Sequence, residues 1–259
     1  MKKIAAGIVL AIGVGVLVIS SNEGKVVGES APAEPPPAAL EPVAGPLAKP
    51  ASAGRALASV PKKAPAEVAQ EVDSLFARVN KVHACYSGGC DFPETDPRSY
   101  NFAVGLELKS NLYTLATTAA ANELKSEAIA SLAREQLKSE DGHVQEAALA
   151  LLATQEPSEA NLTAVLDNVI TGYDAQLIQA AMKQLQRYPS EGDQERIAAA
   201  LSSAMTTGSP FVAREVSSAI EPFMQPRTVP IYEEAVASIT EGSLVRRDLA
   251  QSIASYRAR

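Results

Sequence analysis

The chain has 259 residues, of which 46% are hydrophobic and only 5% aromatic, with no tryptophan. That length holds one or two domains with a sizeable core. A net charge of −7 leaves little to gain from counterion release on DNA or RNA, so nucleic acid is not the expected partner. Alanine and leucine supply much of the apolar content, and both favour helix. Nine of the 17 prolines fall between Pro32 and Pro65, which leaves the rest of the chain free for long helices.

Residues 1–21 read MKKIAAGIVLAIGVGVLVISS, with Lys2 and Lys3 ahead of an uncharged run from Ile4 to Ile19. Basic, then apolar, then polar is the form of an export signal. The run ends Val18-Ile19-Ser20-Ser21, a poor match to the small residues that precede a cleavage site. Ile4–Ser20 just reaches the roughly 17 residues needed to cross a bilayer. An uncleaved anchor with its lysines in the cytoplasm is therefore the first expectation, and a cleaved signal the second. Either places the remainder outside the cytoplasm of a bacterial cell: on the inner membrane facing the periplasm, or periplasmic or secreted if the signal is cut.

Residues 22–65 follow, with the runs APAEPPPAALEPVAGPLAKP and VPKKAPAE. Few large apolar side chains and many prolines cannot bury enough surface to fold. A stiff, extended tether is expected, one that holds the folded part away from the membrane.

Residues 66–123 are expected to form N-terminal capping helices. Val68, Val72, Leu75, Phe76, Val79 and Val82 make one helical stripe; Asp96-Pro97 opens a second helix with Phe102, Leu108, Leu112 and Leu115 as core. Between them lies HACYSGGCDFPETDPRS, which contains the only cysteines, Cys85 and Cys90. In an exported chain a close pair is expected to form a disulfide, and Gly88 and Gly89 give so small a ring its backbone freedom. Free thiols are the second reading, and zinc held by His83, Cys85, Cys90 and an acid such as Asp91 the third, since the spacing matches no zinc module. The acids Asp91, Glu94 and Asp96 have too few ligands and no fitting spacing for calcium, so they read as a solvated loop with Asp96 capping a helix.

From residue 124 onward the sequence repeats itself. Val144, Leu177, Val212 and Val245 are spaced by 33, 35 and 33 residues. Four residues after each stand Ala148, Ala181, Val216 and Leu249, and four later Leu152, Leu185, Ile220 and Ile253. All twelve are apolar and share one helical stripe. Upstream, a second set recurs: Ile129, Ala133, Leu137; Leu162, Leu166, Ile170; Ile197, Leu201, Met205; Ile231, Ala235, Ile239. Gly142, Gly172, Gly208 and Gly242 fall between the two sets and are expected to end the first helix of each pair in the left-handed conformation. Asp141, Asp174, Ser209 and Ser243 then start the second helix, and Pro157, Pro189 and Pro222 separate one pair from the next. Leu112, Ala116 and Ala120 are expected to carry the second-helix register back into the capping pair.

A two-helix unit of 33 to 35 residues implies an all-α solenoid of four to five antiparallel pairs, because one pair cannot bury its own stripe. GSLVRRDLAQSI and SPFVAREVSSAI resemble the second helix of a HEAT or armadillo-like repeat, with a small residue, a valine, a nearby arginine and then apolar positions. The resemblance covers about Leu124 to Tyr256 within residues 124–259. It departs from the pattern where Ala213, Ile178 and Gln145 stand at the place of Arg246. Tetratricopeptide repeats have a similar period, but their characteristic Gly, Tyr, Ala and Phe are not found in register.

The sequence offers no catalytic signature and no cofactor motif. Its two histidines, His83 and His143, lie in different units, and no phosphate loop, nucleophile elbow or zinc-protease motif is present. Asn161-Leu162-Thr163 fits a glycosylation pattern but falls within an expected helix. On the exposed side of the second helices are expected Glu146, Gln179, Arg214 and Arg247, then Lys183 and Gln251. With Arg246 they form a candidate partner-binding ridge that turns from acidic to basic toward the C-terminus. Arginine there suits carboxylate-bearing partners. The expected function is an exported, membrane-tethered binding or scaffold module for another envelope protein, without cofactor or metal. The alternative is an enzyme or accessory subunit built on the same scaffold.

Overall fold

The computed structural model describes residues 64–92 and 96–259. The expected anchor and nearly all of the proline-rich tether lie outside the described residues, as does Glu94. Among the described residues no helix is long and apolar enough to cross a membrane.

Those residues form helices joined by turns, with no strand among them. The helices are α1 (Pro65–Ala84), α2 (Pro97–Ala121), α3 (Glu127–Gln136), α4 (Gly142–Ala153), α5 (Glu159–Val165), α6 (Ala175–Leu185), α7 (Glu191–Thr207), α8 (Pro210–Ser218), α9 (Val229–Ser238) and α10 (Leu244–Arg257). A short 3-10 turn, Cys85–Ser87, follows α1, and another, Glu221–Phe223, follows α8. α5 runs on into a π-helical stretch, Leu166–Ile170.

Side-chain caps fix where most of these helices begin. Asp96, Ser126, Asp141, Ser158, Asp174, Ser190, Ser209 and Ser243 each accept a hydrogen bond from a backbone N–H in the first turn. Each such cap stabilises its helix by about 1 kcal/mol. The four starts expected for the second helices are all among them.

Each odd-numbered helix packs on the even-numbered helix that follows it. The even helices pack in succession, α2 on α4, α4 on α6, α6 on α8 and α8 on α10. They run in the same direction. Asp141 at the start of α4 lies against Gly105 of α2, and Asp174 at the start of α6 lies against Gly142. Gln179 of α6 bonds Glu215 of α8 at 3.0 Å, and at the far end Arg259 pairs with Glu221. Of the twelve aligned apolar residues, eleven are buried and Val245 is half-buried against the same core. The first-helix set is buried too, except Ile231, which is half-buried.

Buried amides tie one pair to the next through the turns. Gln155 accepts from Ser126 N at 2.9 Å and donates to Leu124 O at 3.1 Å. Asn161, almost wholly buried, accepts from Arg134 at 2.7 Å and donates to Glu156 O at 2.9 Å. Its burial explains why the glycosylation pattern has no accessible acceptor here. Gln145 reaches from α4 to Leu137 O at 2.9 Å and to Asn168 O in the π-helical stretch at 3.2 Å.

Three expectations need correction. Phe102 is 53% exposed, because the buried stripe of α2 runs through Tyr100, Val104, Leu108, Leu112 and Leu115 and leaves position 102 on another side. The even-helix register in α2 lies one turn earlier than expected, at Leu108, Leu112 and Ala116. Ala120 is exposed, and Gly105 and Lys109 meet Asp141 and Glu146 of α4. Of the four repeat glycines only Gly242 is left-handed, at φ 77°. Gly142 lies inside α4, where a Cβ would come within 2.6 Å of Asp174 Oδ2; its small size permits close approach and does not end a helix.

Candidate binding surface

The Cys85–Cys90 disulfide is formed in the loop between α1 and α2. Tyr100 holds this loop: its hydroxyl donates to Cys85 O at 2.9 Å and accepts from Cys90 N at 3.3 Å. Phe92 packs edge-on against the Tyr100 ring at 5.8 Å. The loop thereby carries Tyr86 across to α4, where its hydroxyl donates to Asp141 Oδ2 at 3.2 Å. Burial pushes the Tyr86 hydroxyl above the usual tyrosine range, and the neighbouring carboxylate adds to the shift. Tyr86 therefore stays a donor, and Asp141 both caps α4 and anchors the loop.

Beside this contact lies a cleft of about 560 Å³ lined by His83, Tyr86, Phe102, Gln136, Glu140 and Asp141. Gln136 is almost fully buried and its Nε2 sits 3.1 Å from His83 Nδ1. The Phe102 ring meets His143 edge-on at 5.7 Å. Both histidines thus border this corner of the molecule, although they belong to different helix pairs. Among the described residues no group of three His, Cys, Asp or Glu side chains is placed to hold a metal ion. Asp91 and Asp96 are exposed, and Asp96 accepts from Arg98 N as a cap.

The expected ridge residues fall into two groups. Glu146 accepts from Lys109 at 2.6 Å and from Tyr113 at 3.1 Å, so it joins α4 to α2. The Lys109 hydrogen bond, with help from Tyr113, holds Glu146 below the usual carboxylate range, and the same bond raises Lys109. Burial first, then Glu146, raises Tyr113. Arg246 is half-buried and donates to Ile239 O at 3.3 Å, fastening α10 to the end of α9. Arg247 pairs with adjacent Asp248 at 3.0 Å, and Gln179 is engaged with Glu215. Lys183, Arg214 and Gln251 are exposed on α6, α8 and α10. The positive end is also partly compensated, since Arg257 pairs with Glu233 and Arg259 with Glu221.

Sequence reasoning missed Lys109 and Tyr113 as partners of Glu146, and the Tyr86–Asp141 bond. Lys109 and Tyr113 are four apart on one helix face, a legible pair, but meeting Glu146 depends on the register of α2 on α4. It also missed a row of large apolar side chains at the edge where the parallel even helices begin. Phe102 near the start of α2 is followed by Tyr173 before α6, 85% exposed, Phe211 in α8, 76% exposed, and Leu244 in α10, 44% exposed. Single exposed apolar residues are ordinary, but their recurrence near the even-helix start in four of the five pairs marks a surface.

Comparison of the chain with protein-family models, curated proteins and solved structures finds no match.

Proposed function

We propose that this chain is an exported, membrane-tethered α-solenoid of five HEAT-like helix pairs that serves as a binding or scaffold module for another protein of the bacterial envelope. The observation that carries this reading is the succession of same-direction even helices, each packed on its neighbours. Such stacking makes an extended surface, and repeat proteins bind through surfaces of that kind. The Cys85–Cys90 bond suits an oxidising compartment outside the cytoplasm. The basic-then-apolar opening of the sequence supports export and attachment.

Lys183, Arg214 and Gln251 supply polar contacts on the even-helix face, and Tyr173, Phe211 and Leu244 supply apolar contacts at its edge. Crosslinking in intact envelopes followed by capture of the full chain tests this. Arg214→Glu with Arg247→Glu should lose most of a captured partner while helix content by circular dichroism stays unchanged. An identical set of captured proteins would remove the ridge from the proposal.

A further inference from the structure

The cleft of about 560 Å³ beside the disulfide loop falls within the size range of small-molecule sites. His83 at the end of α1 and Tyr86 in the following 3-10 turn form one wall. Phe102 of α2 forms another, and Gln136, Glu140 and Asp141, from the end of α3 to the start of α4, form the third. Together these residues offer acceptors and aromatic rings.

Gln136 is only 2% exposed. Its Nε2 donates to His83 Nδ1 at 3.1 Å, and its Oε1 is left as an acceptor that takes no hydrogen bond among the described residues. A nearly buried amide oxygen without a donor calls for one from outside the chain.

Charge points the same way. Glu140 is exposed and, among the described residues, pairs with no lysine or arginine. Asp141 caps α4 and receives the Tyr86 hydroxyl, but its charge meets no lysine or arginine within the cleft either. The lysine of the lining, Lys138, is already paired with Glu135 at 2.6 Å. The cleft therefore keeps two carboxylates with no compensating lysine or arginine.

The rings decide which cation fits. A metal ion does not, because no three His, Cys, Asp or Glu side chains converge among the described residues. Much of the Phe102 ring is uncovered, and Tyr86 adds a second ring in the same cleft. An ammonium is a compact, strongly hydrated charge, whereas a guanidinium is planar and weakly hydrated, stacks on aromatic faces and offers N–H donors in its plane.

We propose that this cleft binds a guanidinium group, stacked on Phe102 with its N–H groups shared between the Glu140 carboxylate and Gln136 Oε1. The Cys85–Cys90 loop, held by Tyr100, then serves to keep one wall of the site in place. The site does not depend on the proposed envelope partner or on the ridge residues.

Histidine labelling of the full chain tests it, because the chain has only two histidines and both border this corner. With 13C,15N-labelled histidine, ethylguanidinium should shift the His83 imidazole signals saturably. Ethylurea, its uncharged counterpart, should need at least about tenfold more, since a charged donor makes the stronger hydrogen bond to a carboxylate. Glu140→Gln should weaken ethylguanidinium binding about tenfold, and Phe102→Ala about threefold. Both side chains are exposed, so helix content by circular dichroism should stay unchanged. Acetyl-Gly-Arg-Gly amide forms the second arm. Tighter binding of this peptide than of ethylguanidinium assigns the site to an arginine side chain of another protein; equal or weaker binding assigns it to a free guanidino compound. No saturable His83 shift with either probe, equal binding of ethylurea, or binding unchanged in both variants would overturn the proposal.

Discussion

Gly105 sits within α2, where alanine would ordinarily be the better helix former by about 1 kcal/mol. A Cβ there would collide with the Asp141 carboxylate, which caps α4 and receives the Tyr86 hydroxyl. Gly105→Ala should therefore lower stability by about 1–3 kcal/mol in urea denaturation, despite its better propensity, because the carboxylate must give up its place. Gly192, in the first turn of α7, has nothing within 4 Å of an added Cβ. Gly192→Ala should raise stability by about 0.4–1 kcal/mol. If both substitutions stabilised the protein, the close seating of Asp141 against α2 would be wrong.

At the level of helices, α2 and α4 are joined by an apolar seam and by the Lys109–Glu146–Tyr113 contact. Glu146 titrates below its ordinary value in the folded chain, so its contribution is present at neutral pH and disappears as the pH falls through the folded value. Its side chain is 44% exposed, and solvent screening keeps the contribution to about 1 kcal/mol or less. Glu146→Gln should cost that much at pH 7 and almost nothing at pH 3, compared by urea denaturation. A difference that persists unchanged in acid would mean the charge is not its source. Helix pairing and the second-helix starts were legible in the sequence, because a stripe at four-residue spacing and a capping Asp or Ser are local signals. The register of α2 was not. Its buried residues continue for several turns, so Leu108, Leu112 and Ala116 fit the pattern as well as Leu112, Ala116 and Ala120, and only packing against α4 decides. The same ambiguity hid the partners of Glu146, and with them the division of the ridge into residues that join helices and residues that face solvent. The role of Gly142 was hidden for a related reason: a glycine that allows close approach looks, in sequence, like one that ends a helix.

At the scale of the whole molecule, each helix pair among the described residues packs mainly on its immediate neighbours. Leu185, fully buried in α6, offers a way to see how far that dependence reaches. Leu185→Ala should cost about 2–5 kcal/mol. In native-state hydrogen exchange the loss of protection should be largest from α4 to α8 and smallest in α1; a uniform loss would mean one indivisible cooperative unit. The caps carry a further consequence. All five even helices aim their amide ends at the same edge, but α2, α4 and α6 begin on aspartate whereas α8 and α10 begin on serine. A carboxylate cancels the fractional positive charge of a helix start, and a hydroxyl leaves it in place. Of the even-helix starts, those of α8 and α10 thus keep a partial positive charge that their own caps do not cancel, a local asymmetry confined to the first turn of each helix.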